Sequence, residues 1–195
     1  MNATTNTIAP SKHSSLAEYP EVTPEELGRR FLKLLDSINS VEELSLDYVR
    51  NIMQVPLQLT PSRSYDFSIH LPDSGWYYRF SYNEKPIHYD APVHQSQKGI
   101  RLDFENYDNR NADMAPVCGM DFAAYAAALT AMGFSYDMIL GQRGPLIQWT
   151  MNRFSTKTGS GLSGLMFHQS QAPEPGDKFH HACLKSIGVG GVTNP

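Results

Sequence analysis

Apolar residues recur at helical spacing early in the chain and at every second position beyond residue 64. Leu27, Phe31, Leu34, Leu35 and Ile38 form one stripe, with Arg29, Arg30, Lys33 and Asp36 falling mostly outside it. Thr23-Pro24-Glu25-Glu26 supplies the start: a capping hydroxyl, a proline suited to the first turn and a glutamate that completes a capping box. A second box at Ser40-Val41-Glu42-Glu43 and a cap at Ser45 predict short helical turns, the latter burying Val49, Ile52 and Met53 before Pro56. The period then becomes two. Tyr65, Phe67, Ile69 and Leu71 alternate with polar neighbours, Pro72-Asp73-Ser74-Gly75 reads as a turn, and Trp76, Tyr78, Phe80 and Tyr82 alternate again. This is a hairpin, with Leu57–Thr60 as a short strand before it. Residues 83–98 read as a long loop.

Ile100, Leu102 and Phe104 mark the next strand. An acidic, amide-rich connector follows and leads into a helix capped by Asp121, with Phe122, Tyr125, Leu129 and Met132 as its buried stripe. Five alanines raise its helix propensity, and Gly133 stands where a left-handed terminating residue is wanted. Strands are predicted at Phe134–Leu140, Leu146–Phe154 and Leu162–Gln169, with turns at 141–144 and 156–160 between them. A Pro-rich loop at 170–181 precedes Cys183–Val189, expected as a final edge strand. The predicted class is α+β, antiparallel meanders with packed helices. It divides into a flexible tail at 1–22, helices plus strands at 23–106, an acidic connector at 107–120, helix plus strands at 121–190 and a tail at 191–195. The two larger parts read either as tandem helix-plus-sheet units or as one continuous domain.

Totals narrow the function. At 195 residues with 41% hydrophobic and 18% charged positions, the chain can bury a core unaided. A formal net charge of −4 weighs against nucleic acid, whose phosphates require a basic surface. No apolar window of about 18 residues predicts a membrane span, and the N-terminal stretch has no basic-then-apolar leader. A cytoplasmic protein is expected on these grounds. Cys118 and Cys183 are read as reduced structural thiols, with a bridge between them as the alternative for an exported chain.

Candidate chemistry is sparse. Adjacent His180 and His181 point to opposite faces of an extended chain and match no zinc spacing. Cys118 lies in a turn before a helix, with no marked oxyanion site. The Asp108–Asp113 run lacks both the turn glycine and the closing glutamate of a calcium loop. No cofactor, metal site or catalytic set is predicted. Asp103, Glu105, Tyr107, Asp108 and Asp113 instead make an acidic, aromatic edge, with Tyr77 and Arg79 as outward-facing neighbours. Such edges suit steering onto a basic protein surface.

In this general character the chain resembles bacterial immunity proteins, which neutralise toxins delivered between cells, as in type VI secretion. In element order it is similar to tandem helix-plus-sheet inhibitors of the β-lactamase inhibitor protein type. The resemblance implies a cognate toxin or effector as partner and transfers no residue roles. Two alternatives stand beside it. One is a small enzyme or ligand carrier using His88, His94, His168, His180 and His181 around a cleft. The other is an assembly module that forms homodimers through strand edges.

Overall fold

The computed structural model describes residues 13–84, 98–139, 146–155, 160–169 and 182–193. Helix α1 (Pro24–Asp36) begins where Thr23 accepts a hydrogen bond from the Glu26 amide. Glu26 does not close the capping box; its carboxylate turns to Arg29 and Arg30. A 3-10 turn (Val41–Glu43) and helix α2 (Leu46–Met53) follow, capped by Ser40 and Ser45. Helix α3 (Phe122–Ala131) is capped by Asp121, whose Oδ1 accepts from the Ala124 amide at 2.7 Å. Gly133 follows it with φ +84°, a conformation that side chains disfavour.

The strands are β1 (Ser14–Ser15), β2 (Gln58–Leu59), β3 (Tyr65–Leu71), β4 (Trp76–Asn83), β5 (Gly99–Asn106), β6 (Ser135–Met138), β7 (Leu146–Ser155), β8 (Ser160–Gln169) and β9 (Cys183–Thr193). They form one nine-stranded sheet in the order β1-β3-β4-β5-β9-β8-β7-β6, with β2 beside β3. Every pairing is antiparallel except β1 with β3. The α+β class is therefore observed, dominated by its sheet.

The last strand is not at an edge. β9 lies between β5 and β8 and joins the two predicted strand sets into one sheet. Its alternation explains the placement: Leu184, Ile187 and Val189 are buried, whereas Gly188 and Gly190 leave the other face nearly bare. A strand that must be hydrogen-bonded on both sides and carries few bulky groups fits a sheet interior.

The core lies on one face. The row Phe80–Leu102–Ile187–Met166–Trp149 crosses five strands in register, and the helices cover it. Phe31 of α1 meets Phe80 edge-on, Tyr82 donates to the Leu44 carbonyl, and Phe122 of α3 packs on Trp149. Gly28 on α1 is buried because the Tyr125 hydroxyl of α3 occupies the space a side chain would need.

Two expectations are corrected here. Part of the predicted flexible tail is structured: β1 pairs with β3, Tyr19 packs edge-on against Phe67, and Val22 is buried with its carbonyl accepting from Tyr78. The two cysteines are not free thiols. Cys118 and Cys183 form a disulfide with Cα atoms 5.5 Å apart, supported by a bridge between Asp121 and Cys183 and by the Phe122 amide bonding to the Ala182 carbonyl. The bridge, an alternative in the sequence, joins residues 65 positions apart that meet once β9 lies beside β5. The loops and turns predicted at 141–144 and 170–181, and most of those at 83–98 and 156–160, lie outside the described residues.

Candidate functional site

Alternation that buries Trp76, Tyr78 and Phe80 sends Tyr77, Arg79 and Ser81 to the face opposite the helices. Antiparallel register then sets Glu105 beside Tyr77 and Asp103 beside Arg79. The sequence-predicted residues Tyr77, Arg79, Asp103, Glu105 and Tyr107 thus converge on the outer face of β4 and β5.

Tyr77 is held by rings on several sides. His70 stacks parallel to it at 4.2 Å, His13 approaches at 4.8 Å and Tyr107 at 5.1 Å. Tyr107, 60% exposed, donates to Glu105 at 2.5 Å. Desolvation, and then the Glu105 carboxylate, push its phenol up to about 12. It therefore stays protonated and anchors the carboxylate at neutral pH.

Below this ring layer lies an ion-pair row. Arg79 Nη2 stands 3.5 Å from Glu105 and 3.6 Å from Asp103, ion-pair distances without hydrogen-bond geometry. Asp103 is 1% exposed although it faces away from the helices. Burial raises its pKa, while the Arg101 charge and hydrogen bond, at 2.6 Å, and the Arg79 charge oppose that rise. Burial pulls the Arg79 pKa down, but Glu105, Asp103, Tyr107 and Asp66 outweigh it and leave it raised. Asp103 is thus the buried base of the cluster, and Glu105 and Tyr107 are its accessible rim.

Asp108 and Asp113 do not join this group. They lie on the connector at the end of β5, both exposed. Asn106 organises that turn by accepting from the amides of Asp108 and Asn109. Asp113 supports the fold: its carboxylate accepts from the Ala115 amide and its carbonyl from the Trp76 indole at 2.8 Å. Asp108 is left as the carboxylate nearest the aromatic rim along the chain.

Of the histidines placed around a cleft, His88, His94, His180 and His181 lie outside the described residues. His168 is 2% exposed, and its Nδ1 accepts from the Trp149 indole at 3.0 Å. Burial lowers its pKa. Among the described residues no three His, Cys, Asp or Glu side chains converge as a metal cage.

Three site neighbours were not singled out from the sequence: His13, Asp66 and His70. The signal for two of them was present. Once Pro72–Gly75 is the hairpin turn, register places His70 opposite Tyr77, and Asp66 one pleat from Arg79. His13 carries no such signal, because it arrives through the parallel β1 contact, with its Nδ1 at 2.7 Å from Ser68 Oγ.

No family model, no curated protein and no solved structure matches the chain. No helix among the described residues is long and apolar enough to cross a membrane.

Proposed function

We propose that this chain is a neutralising binding protein of the immunity or inhibitor kind, which occludes a cognate toxin or effector through an acidic, aromatic rim. The observation that supports this reading is the Tyr107–Glu105–Tyr77 arrangement. An exposed phenol is fixed to a carboxylate and backed by a ring stack, on a rigid strand end where exposed Asp108 follows. A preorganised aromatic anchor beside carboxylates costs little side-chain entropy on binding and attracts a basic surface. The chain acts by covering its partner rather than by chemistry of its own. The disulfide supports work in an oxidising compartment such as a periplasm, where such bonds persist, over the expected cytoplasm.

The test is co-expression with the protein encoded by the adjoining upstream gene, followed by measured association rates. The expected result is protection from that protein's toxicity and a complex whose association rate falls with salt. Replacing Glu105 and Asp108 together with lysine should slow association about tenfold at low salt. Asp108→Lys alone, at an exposed position, should leave the melting temperature unmoved, whereas Glu105→Lys also removes the contacts to Arg79 and Tyr107 and should lower it modestly. An unchanged rate at low salt in a folded double variant rejects the rim as the contact.

A further inference from the structure

Helices cover one face of the sheet, and on the other face large apolar side chains of β7 and β8 meet solvent. Leu165 is 39% exposed and Phe154 54%, with half-buried Phe167 one pleat from Leu165. Apolar groups gathered on a rigid sheet face mark a contact surface. The residues around them say what it contacts.

Register sets one outer row across five strands: Arg101 on β5, Gly188 on β9, Leu165 on β8, Thr150 on β7 and Asp137 on β6. Leu165 is the centre of that row. The guanidinium and the carboxylate stand two strands away on opposite sides, about 10 Å from it at the usual strand spacing. Arg101 engages Asp103 through Nε alone and is 55% exposed. Asp137 is exposed, and among the described residues its carboxylate has no ion pair.

A row whose charge changes sign about a central apolar residue is complementary to itself. A half-turn about an axis along β8 lays each row of a second copy on the same row of the first. Leu165 then meets the partner's Leu165, and Arg101 meets the partner's Asp137 at both ends. Sheets packed face to face stand about 10 Å apart, a gap that an extended arginine and an aspartate together span. Small residues fall beside the large ones: Gly188 lies opposite the partner's Thr150, and Ser186, next to Phe167, lies opposite the partner's Gln148. Such an axis also preserves the twist, so the two saddle-shaped surfaces nest.

We propose that the outer face of β5, β9, β8, β7 and β6 is the interface of a two-fold homodimer centred on Leu165. Four strand spacings by six residues make a face of about 20 Å by 20 Å, at the small end of specific interfaces, so the dimer is reversible. Strands β3 and β4 project past the partner's edge strand and keep the Tyr77–Glu105–Tyr107 rim open at each end. The inference does not rest on the toxin reading, which needs no second copy.

The test is sedimentation of the full chain from about 1 μM to about 1 mM, where a reversible dimer should form at about 10–100 μM. Leu165→Lys should weaken it about a hundredfold. Asp137→Lys, which sets like charges together at both ends, should weaken it about tenfold. Asp137 is exposed, so that variant remains informative if Leu165→Lys fails to fold. Leu165→Cys, on the axis, should be linked to its own copy by bismaleimidoethane. Met138→Cys, on the helix side of edge strand β6, should not be linked. A monomer at every concentration overturns the proposal, and so does a dimer of parent strength in Asp137→Lys. Linking of Met138→Cys without Leu165→Cys would join the copies edge to edge and overturn it as well. A chain that stays monomeric and sediments with phosphatidylcholine vesicles would show the face to be lipid-seeking, and the dimer would fall.

Discussion

Trp76 and Trp149 mark the two arms of one sheet, and the arms are built differently. Trp76 is 1% exposed, its indole bonded to a backbone carbonyl and its ring under Lys185 Nζ at 4.4 Å. Trp149 is only half-buried, and its indole relies on another side chain, His168. Around Trp76 the helix-facing residues of β4 are all large aromatics sealed by α1 and the loops beside it. Beside Trp149 on β8 stands Met166, with Gly164 one pleat along opposite Met151, and α3 packs over them through Phe122. The outer faces diverge as well. The Trp76 arm presents Asp66, Arg79, Asp103 and Glu105, whereas the Trp149 arm presents exposed Phe154 and Leu165. Polar groups can be held in strained or underused arrangements only where a firm core beneath them supplies the stability. The firm arm is therefore the arm that carries the candidate site.

The sharpest way to break this comparison is to truncate one large ring in each arm. Phe80, fully buried beneath α1, should cost about 3–5 kcal/mol as Phe80→Ala. Phe154, 54% exposed and resting across Gly161, should cost no more than about 1 kcal/mol as Phe154→Ala. Urea melts of the two variants decide it. Losses of equal size would mean that the arms share one evenly packed core.

The disulfide couples the arms, since Cys118 ends the connector after β5 and Cys183 opens the strand that joins the two halves. Replacing both cysteines with serine should lower stability by about 2–4 kcal/mol, by releasing the unfolded chain from a 65-residue loop. In a chain of this size that is roughly 5–15 °C in Tm. Reductant should reproduce the shift in the parent and leave the double variant unmoved. A parent insensitive to reductant under partly unfolding conditions would show the thiols unpaired.

Local signals were legible where neighbours in sequence are neighbours in space. Thr23, Ser45 and Asp121 cap as their spacing predicts, and the β3–β4 hairpin follows from Pro72–Gly75 and the alternation around it. Tyr77 and Arg79 could be placed outward for the same reason. What stayed hidden depends on one long-range event, the insertion of β9. No periodicity distinguishes a central strand from an edge strand when half its residues are small, so β9 reads as an edge strand, and the Cys118–Cys183 bridge and the continuous sheet stand only as alternatives. Asp103 shows a related limit. Alternation gives its face correctly, but its burial comes from long neighbours such as Arg79 and Arg101, which polarity alone assigns to solvent.

The smallest effect separates the arms by pH. In the folded chain His168 has its pKa lowered by burial, while unfolded it titrates near 6.5. The unfolded state therefore binds more protons below that value. Stability from this group is complete above about pH 7 and declines as pH falls through 6.5 towards the lowered value. Protonating Nδ1 also removes the acceptor that Trp149 uses. Trp76 has no such partner: its indole donates to a backbone carbonyl, which does not titrate. With 5-fluorotryptophan at the two tryptophans, the Trp149 resonance should move between pH 7 and 5 while that of Trp76 stays fixed. His168→Gln keeps an acceptor without a titrating group and should abolish the Trp149 shift. It should also flatten the acid side of the stability profile, though not fully. His13, lowered by burial and by the His70 and Arg79 charges, adds a decline of the same sign in the other arm. Movement of the Trp76 signal in the acid range would show that the arms titrate as one unit, and the contrast between them would fail.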